Sequence, residues 1–214
     1  MAETRLAEYM AIAEAAYNQG MEVINDVASW QTIKTTPYGY ASRVSTPSGL
    51  AVFKYEGFIN KPVLAVKSYF TTNYESMSRE FTPDMFDHQT TVQVFDDTAK
   101  LIHEVTKSPV SVVTPRDVVY FDVTLTLDES TYVIVATSVE ALEVPPVQGY
   151  VRVDLKYALH IFEQVPGEVV KTHITHVALG DPKGAIPASF VNMSLGSRAD
   201  FYEKVMQRMA EAIG

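Results

Sequence analysis

Residues 187–213, PASFVNMSLGSRADFYEKVMQRMAEAI, are the stretch that decides the fold. Within it, apolar side chains recur every four residues at Phe201, Val205, Met209 and Ile213. This spacing predicts one long helix, from about Pro187 to Ile213, with a single apolar face. Such a face must be buried against another element, so the segments that precede the helix determine the architecture.

Those preceding segments are mostly short and rich in β-branched and aromatic residues. Turn sequences such as Pro37-Tyr38-Gly39 and Asp128-Glu129-Ser130 separate them. Short turns between consecutive strands favour an antiparallel sheet. We predict nine strands, at 30–36, 39–46, 50–59, 90–96, 99–106, 117–127, 131–139, 150–162 and 168–179.

Three further segments have helical patterns. Residues 3–19 form an amphipathic pattern that Gly20 can end, and residues 60–75 begin with Asn60 as a candidate N-cap. A short helix is predicted at 82–87. Nine strands and a long final helix cannot fill a flat sandwich. We therefore expect an α+β fold of one domain, residues 1–214, in which a curved antiparallel sheet wraps around the last helix.

Composition excludes several classes of function. The chain has 214 residues, of which 47% are hydrophobic, and a net charge of −9. An acidic chain repels phosphate backbones, so we expect no nucleic-acid partner. It has no cysteine, which excludes disulfides, thiolate metal sites and cysteine nucleophiles. The first twenty residues do not resemble a signal peptide, and no apolar run approaches the ~20 residues of a membrane span. We expect a cytoplasmic protein.

Motifs of catalysis are missing from the sequence. There is no G-x-S-x-G elbow, no G-x-G-x-x-G turn and no P-loop. His173 and His176 form an H-x-x-H pair, but in a strand residues three apart point to opposite faces. We therefore predict no catalytic residue, no metal site and no cofactor.

Tyrosine is abundant, with 12 Tyr and 10 Phe against a single Trp. Tyr120, Tyr132, Tyr150 and Tyr157 fall in predicted strands. A tyrosine has an apolar ring and a polar tip, which suits the wall of a cavity that holds an amphipathic ligand. The alternative, an ordinary sheet core, stays open for each of them.

Four motifs in the second half of the chain resemble those of START domains, the lipid-transfer family related to the steroidogenic acute regulatory protein. They are TPRDVVY at 114–120, YVIVATSVE at 132–140, PPVQGYVR at 145–152, and DPKGAIP at 181–187 followed by Val191-Asn192. Their order and spacing also match the family, and the order of predicted elements extends the resemblance to nearly the whole chain.

The resemblance implies a helix-grip fold that encloses an apolar cavity for one sterol, phospholipid or sphingolipid. The residues implied as ligand contacts are Glu104, Val118, Tyr120, Asp122, Leu155, Tyr157, Phe190 and Phe201. Together with the last helix, the connection at 107–115 would gate the cavity at a membrane surface, through the apolar residues Pro109, Val110, Val112 and Val113. The implied protein is a monomer that contacts membranes transiently.

One departure from the family concerns a pair of polar residues. Glu104 matches a glutamate of the family, but Asp122 stands where the family often has an arginine. If both acids face the cavity, we expect desolvation and mutual repulsion to raise the pKa of at least one. Simple alternation instead directs Val119 and Phe121 inward and Asp122 to solvent. We follow the resemblance here.

Three functions remain possible at this stage. The leading one is a carrier that binds a lipid and moves it between membranes without catalysis. An enzyme of the same superfold that uses Glu104 and Asp122 is the alternative, and a ligand-sensing module is the third.

Overall fold

One sheet organises the molecule. The computed structural model describes residues 2–108 and 113–214, which contain ten strands and four α-helices. The helices are α1 (Ala2–Asn25), α2 (Val63–Phe81), α3 (Ala188–Met193) and α4 (Leu195–Ala212). The strands are β1 (Gln31–Thr35), β2 (Gly39–Ser45), β3 (Ala51–Ile59), β4 (Phe86–Val94), β5 (Ala99–Thr106), β6 (Arg116–Thr126), β7 (Thr131–Ser138), β8 (Val151–Arg152), β9 (Asp154–Gln164) and β10 (Thr172–Asp181).

The sheet is antiparallel along its whole main path. Its strand order is β1-β2-β3-β10-β9-β7-β6-β5-β4, so the last strand, β10, pairs with β3 from the first meander. The two-residue strand β8 lies off this path and pairs in parallel with β6. The predicted fold class, an antiparallel sheet combined with a C-terminal helix, is confirmed.

Both faces of the sheet are covered. On the inner face, α2 and α4 pack on a cluster that includes Phe53 and Phe162, both fully buried. On the outer face, α1 packs on a second cluster, in which the rings of Tyr9 and Phe121 are 5.5 Å apart. Strands buried on both faces are apolar at consecutive positions, so alternation alone cannot say which side faces inward.

The four-residue spacing identified the buried face of the last helix correctly. Phe201, Val205, Met209 and Ile213 are all at most 8% exposed and belong to the inner cluster. The predicted continuous helix is in fact two, because Ser194 separates α3 from α4.

Several predicted boundaries were wrong. Residues 82–87 form no helix, since Thr82 ends α2 and β4 begins at Phe86. The N-cap of α2 is Pro62, not Asn60. The predicted strand 150–162 is divided into β8 and β9. None of the helices in the described segments has the length and hydropathy to span a bilayer.

Candidate ligand cavity

A cavity of about 630 Å³ lies between the inner face of the sheet and helices α2, α3 and α4. Strands β4 to β7, β9 and β10 supply its floor, and Phe70 and Tyr74 of α2 supply one side. Phe190 of α3 and Tyr202 of α4 close it from above. The cavity therefore lies where the helix-grip arrangement leaves the terminal helices out of full contact with the sheet.

Most of the residues predicted from sequence line this cavity. They are Glu104, Val118, Tyr120, Asp122, Leu155, Phe190, Phe201 and, from the predicted gate, Val113. The other predicted gate residues, Pro109, Val110 and Val112, lie outside the described residues. Whether any of these side chains binds a ligand remains a prediction.

Tyr157 does not line the cavity, which corrects the sequence-based expectation. It lies in the outer cluster, close to Gly20 of α1. The cause is an irregularity in β9: Leu155 pairs with Gly180 and Tyr157 pairs with Leu179, so Lys156 is an extra residue. A bulge of this kind shifts the in–out alternation of side chains by one residue. Leu155 and Tyr157, two positions apart, therefore point to opposite faces of the sheet.

The conflict over β6 is resolved in favour of the resemblance. Val118, Tyr120 and Asp122 face the cavity. Val119 and Phe121, which alternation directs inward, are fully buried but lie under α1. Alternation failed here because the first helix shields the outer face from water.

Small residues that were not predicted as site residues give the cavity its depth. Ala136, Ala158 and Ala178 lie side by side in register on β7, β9 and β10, and all three line the cavity. Asp122 continues the same row on β6, opposite Ala136. Three methyl groups in a row leave a groove across the sheet that ends at a carboxylate. A lone alanine in a strand carries no signal by which sequence analysis could have found this groove.

Glu104 is half-buried, and it lines the cavity. The Tyr120 hydroxyl is 3.5 Å from a carboxylate oxygen of Glu104 and 3.3 Å from the amide oxygen of Gln89. Burial raises the pKa of Glu104 to about 7, with a contribution from Glu75, although the Tyr120 hydroxyl acts in the opposite direction. A substantial fraction of this carboxyl is therefore protonated near neutral pH.

Asp122 has a different environment. Burial raises the pKa of Asp122 to about 6, against the effect of Lys100. Lys100 is the residue directly opposite Asp122 on β5, and it also lines the cavity. A cation of the protein therefore offsets this acid in part.

The expected mutual repulsion of Glu104 and Asp122 is not found. Glu104 pairs with Val118, whereas Asp122 pairs with Lys100, and the pair Ile102–Tyr120 lies between them. A four-residue offset along the strands corresponds to roughly 13 Å. Both pKa values are raised chiefly by burial, and neither acid contributes to the shift of the other.

Two histidines missed by the sequence-based list form another polar part of the wall. His160 and His176 face each other in register, with ring centroids 4.4 Å apart. His160 Nε2 is 3.0 Å from the Tyr202 hydroxyl, and His176 Nδ1 donates to the carbonyl of Leu159 at 3.1 Å. Burial lowers the pKa of His160 to about 3, so this ring is neutral.

His173 lies on the other face, stacked on Phe58 with centroids 4.7 Å apart. It thus cannot share an ion with His176, as the three-residue spacing indicated. Across residues 2–108 and 113–214, no group of three His, Asp or Glu side chains is arranged to hold a metal ion.

Comparison with known proteins identifies relatives over nearly the full chain. Residues 25–212 match the START domain family. The "Steroidogenic acute regulatory protein, mitochondrial" of Gallus gallus is 27% identical over 210 residues, which cover 96% of this chain and 73% of that protein. The "Steroidogenic acute regulatory protein" of Xenopus laevis is 24% identical and is covered to 72%.

Solved structures show the same fold at lower identity. Human StAR-related lipid transfer protein 5 superposes with a TM-score of 0.78 at 18% identity, covering 96% of this chain and 97% of that one. A STAR-related lipid transfer protein fragment from Xanthomonas axonopodis gives a TM-score of 0.68 at 17% identity, with 86% and 99% covered.

Proposed function

Because the chain belongs to the START domain family, we propose that it binds one lipid-like molecule in the inner cavity and carries it between membranes without catalysing a reaction. The ligand class proposed at this level is a sterol, phospholipid or sphingolipid. Residues 1–214 would act as a single lipid-binding domain, as a monomer in the cytoplasm that touches membranes transiently.

The observation that carries this proposal is the 630 Å³ cavity itself. Protein interiors are normally close-packed, and a cavity lowers stability in proportion to its volume. A cavity of this size therefore indicates a ligand-binding role. Burial of an apolar ligand there stabilises the complex by roughly 25 cal/mol per Å² of area removed from water. A hydrocarbon chain held in this way leaves slowly unless part of the wall opens.

The relatives support the transport step. Human StAR-related lipid transfer protein 5 and the Xanthomonas axonopodis protein are both called lipid transfer proteins. The chain has no cysteine, so a cysteine nucleophile is excluded.

Helix α3 is the part of the wall that we propose as the lid. Phe190 lines the cavity and is nevertheless 45% exposed, and Met193 on the same helix is 78% exposed. Val113, at the end of the predicted gate connection, lines the same cavity. Apolar side chains that reach both the cavity and the surface suit an opening that faces a membrane.

Native mass spectrometry of the purified protein, followed by lipid extraction, tests this proposal. We expect a population heavier than the chain by the mass of one lipid, and the extracted lipid should be chemically unchanged after incubation with fresh protein. A protein that never carries or takes up a lipid would contradict binding, and a chemically altered lipid would favour the enzyme alternative.

A further inference from the structure

The polar wall around Glu104 is short of hydrogen-bond donors. An ionised carboxylate only accepts hydrogen bonds, and the amide oxygen of Gln89 accepts as well. The Tyr120 hydroxyl lies between them and has one proton, which it can donate to one acceptor at a time. When Glu104 is ionised, a ligand group that supplies donors would therefore satisfy both acceptors.

The charges around Glu104 also favour a ligand group that donates hydrogen bonds and is positively charged. Lys100 is placed to offset Asp122, its direct neighbour across β5 and β6. Glu104 has no comparable cation: its pKa responds to burial, to Tyr120 and to the second acid Glu75, and no described Lys or Arg lowers it.

The other described cations of the wall make their contacts with groups other than Glu104. Lys107 Nζ donates to the carbonyl of Pro83 at 2.8 Å, and Arg116 donates to the carbonyl of Thr114. Arg198 lies over the ring of Phe53, 5.7 Å from its centroid. Among the described residues, Glu104 therefore has no positive partner.

We propose that the ligand is a lipid with a protonated amine, whose ammonium group binds Glu104 and Gln89 beside the ring of Tyr120 while its hydrocarbon chain fills the cavity. This inference rests on the proposed function and specifies its ligand class. An ammonium group has three donors for the acceptors present, and the face of a tyrosine ring attracts a cation. The groove over Ala136, Ala158 and Ala178 offers an apolar surface for the chain.

Binding should depend on pH in a defined direction. Below about pH 7 the Glu104 carboxyl of the empty cavity is largely protonated, so entry of an ammonium ion displaces one proton to solvent. Affinity should therefore rise with pH through this range, by about tenfold between pH 6 and pH 8. The titratable groups that interact with Glu104 are Glu75 and Tyr74 on α2, Tyr120 on β6 and Tyr202 on α4. Arg198 on α4 acts on Tyr74 and Tyr202, and Lys100 and Asp122 lie further along β5 and β6. These tyrosines titrate far above this range, because burial raises the pKa of Tyr74 to about 12 and raises the pKa values of Tyr120 and Tyr202 well above their usual value.

Titration calorimetry with three twelve-carbon probes tests the proposal: dodecylamine, 1-dodecanol and lauric acid. With the wild-type protein at pH 8 we expect dodecylamine to bind roughly tenfold or more tightly than dodecanol. Glu104→Gln should abolish this preference. Glu163→Gln is the matched control, since Glu163 lies on β9 and contacts His173 on the outer face, and it should keep the preference.

The outcomes distinguish an error in the ligand class from an error in the lipid-binding function. If dodecanol or lauric acid binds as tightly as dodecylamine, the ligand class is wrong but the lipid-binding function stands. If none of the three probes binds, the amine inference is overturned, and native mass spectrometry decides whether the proposed function stands. Should Glu104→Gln fail to fold, the pH profile of dodecylamine binding to the wild type decides, and a flat or inverted profile overturns the proposal.

Discussion

Asp117 and Arg152 form a bidentate ion pair that connects β8 to β6. Arg152 Nε donates to Asp117 Oδ1 at 3.0 Å and Nη2 donates to Oδ2 at 2.8 Å, and the Asp117 side chain is 1% exposed. His103 Nε2 lies 3.0 Å from the same carboxylate. Burial alone would raise the pKa of Asp117, but hydrogen bonds from Arg152 and His103 outweigh it and hold the pKa below its usual value. Two of the sequence motifs, TPRDVVY and PPVQGYVR, thus meet in a structural clamp.

Asp117→Asn should destabilise the protein by about 3 kcal/mol, because it leaves the guanidinium of Arg152 without its buried counter-charge. Urea unfolding monitored by circular dichroism measures the change in the free energy of unfolding. Glu80→Gln is the control, since its pair with Arg208 is solvent-exposed and should contribute less than about 1 kcal/mol. Equal effects of the two substitutions would show that the clamp is not structural.

Lipid-free protein should become less stable as pH rises through the weakly acidic range. The pKa values of Glu104 and Asp122 are raised on folding to about 7 and about 6. The folded state therefore holds protons that the unfolded chain releases above about pH 4. Stability from this source is present below pH 4, declines up to about pH 7 and is then constant.

Glu104→Gln removes one of these two groups. At pH 8 the variant should be more stable than the wild type, by on the order of 3 kcal/mol, and at pH 4 the two should be equal. Thermal unfolding of lipid-free protein across this pH range provides the measurement. A difference that is the same at every pH would mean that Glu104 is not buried as described.

The fold was largely predictable because its signals are periodic. The four-residue spacing of Phe201, Val205 and Met209 located the helix on which the sheet closes, and all three are buried. Short turns between apolar runs predicted the antiparallel order. Helix ends were less predictable, since the last helix is interrupted at Ser194, which is neither a proline nor a glycine.

The site was predictable only in part, for three reasons. A single extra residue, Lys156, turned Tyr157 away from the cavity, and such a bulge leaves no mark in a run of strand-forming residues. The groove over Ala158 depends on which alanines come into register across three strands, which is a property of the assembled sheet. His160 was missed because its partner His176 was considered only with His173, its neighbour in sequence.

A disulfide between α3 and the β2–β3 turn should lock the proposed lid. A Cβ atom added at Gly49 would lie 3.5 Å from the Cβ of Ala188, within the usual range for a disulfide. The chain has no other cysteine. Gly49 has a φ of +83°, so Gly49→Cys should cost about 1–3 kcal/mol in backbone strain.

The double variant Gly49→Cys/Ala188→Cys should exchange lipid slowly when oxidised and at its normal rate after reduction with dithiothreitol. Each single variant controls for the strain. Fast exchange in the oxidised double variant would place the opening elsewhere than at α3.

The side chain of Asn192 attaches α3 to the β2–β3 turn and the start of β3, and removing it should loosen the lid. Its Oδ1 accepts a hydrogen bond from the Ala51 amide and its Nδ2 donates to the Gly49 carbonyl, both at 2.9 Å. Two such bonds contribute about 1–2 kcal/mol, so Asn192→Ala should exchange lipid several-fold faster. Ser189→Ala, an exposed position on α3, is the control, and an unchanged rate in Asn192→Ala would argue against α3 as the lid.

The central claim is that the inner cavity carries the lipid, and transfer of fluorescent sterol, phosphatidylcholine, ceramide and long-chain amine between donor and acceptor vesicles tests it most directly. Ala158→Trp would fill the groove at its centre, whereas Ala11→Trp adds the same side chain at an exposed position of α1. We predict that the wild type and Ala11→Trp accelerate transfer of at least one of these lipids, and that Ala158→Trp, correctly folded by circular dichroism, does not. Transfer by folded Ala158→Trp at the wild-type rate, or no acceleration of any of the four lipids by the wild type, would contradict the account.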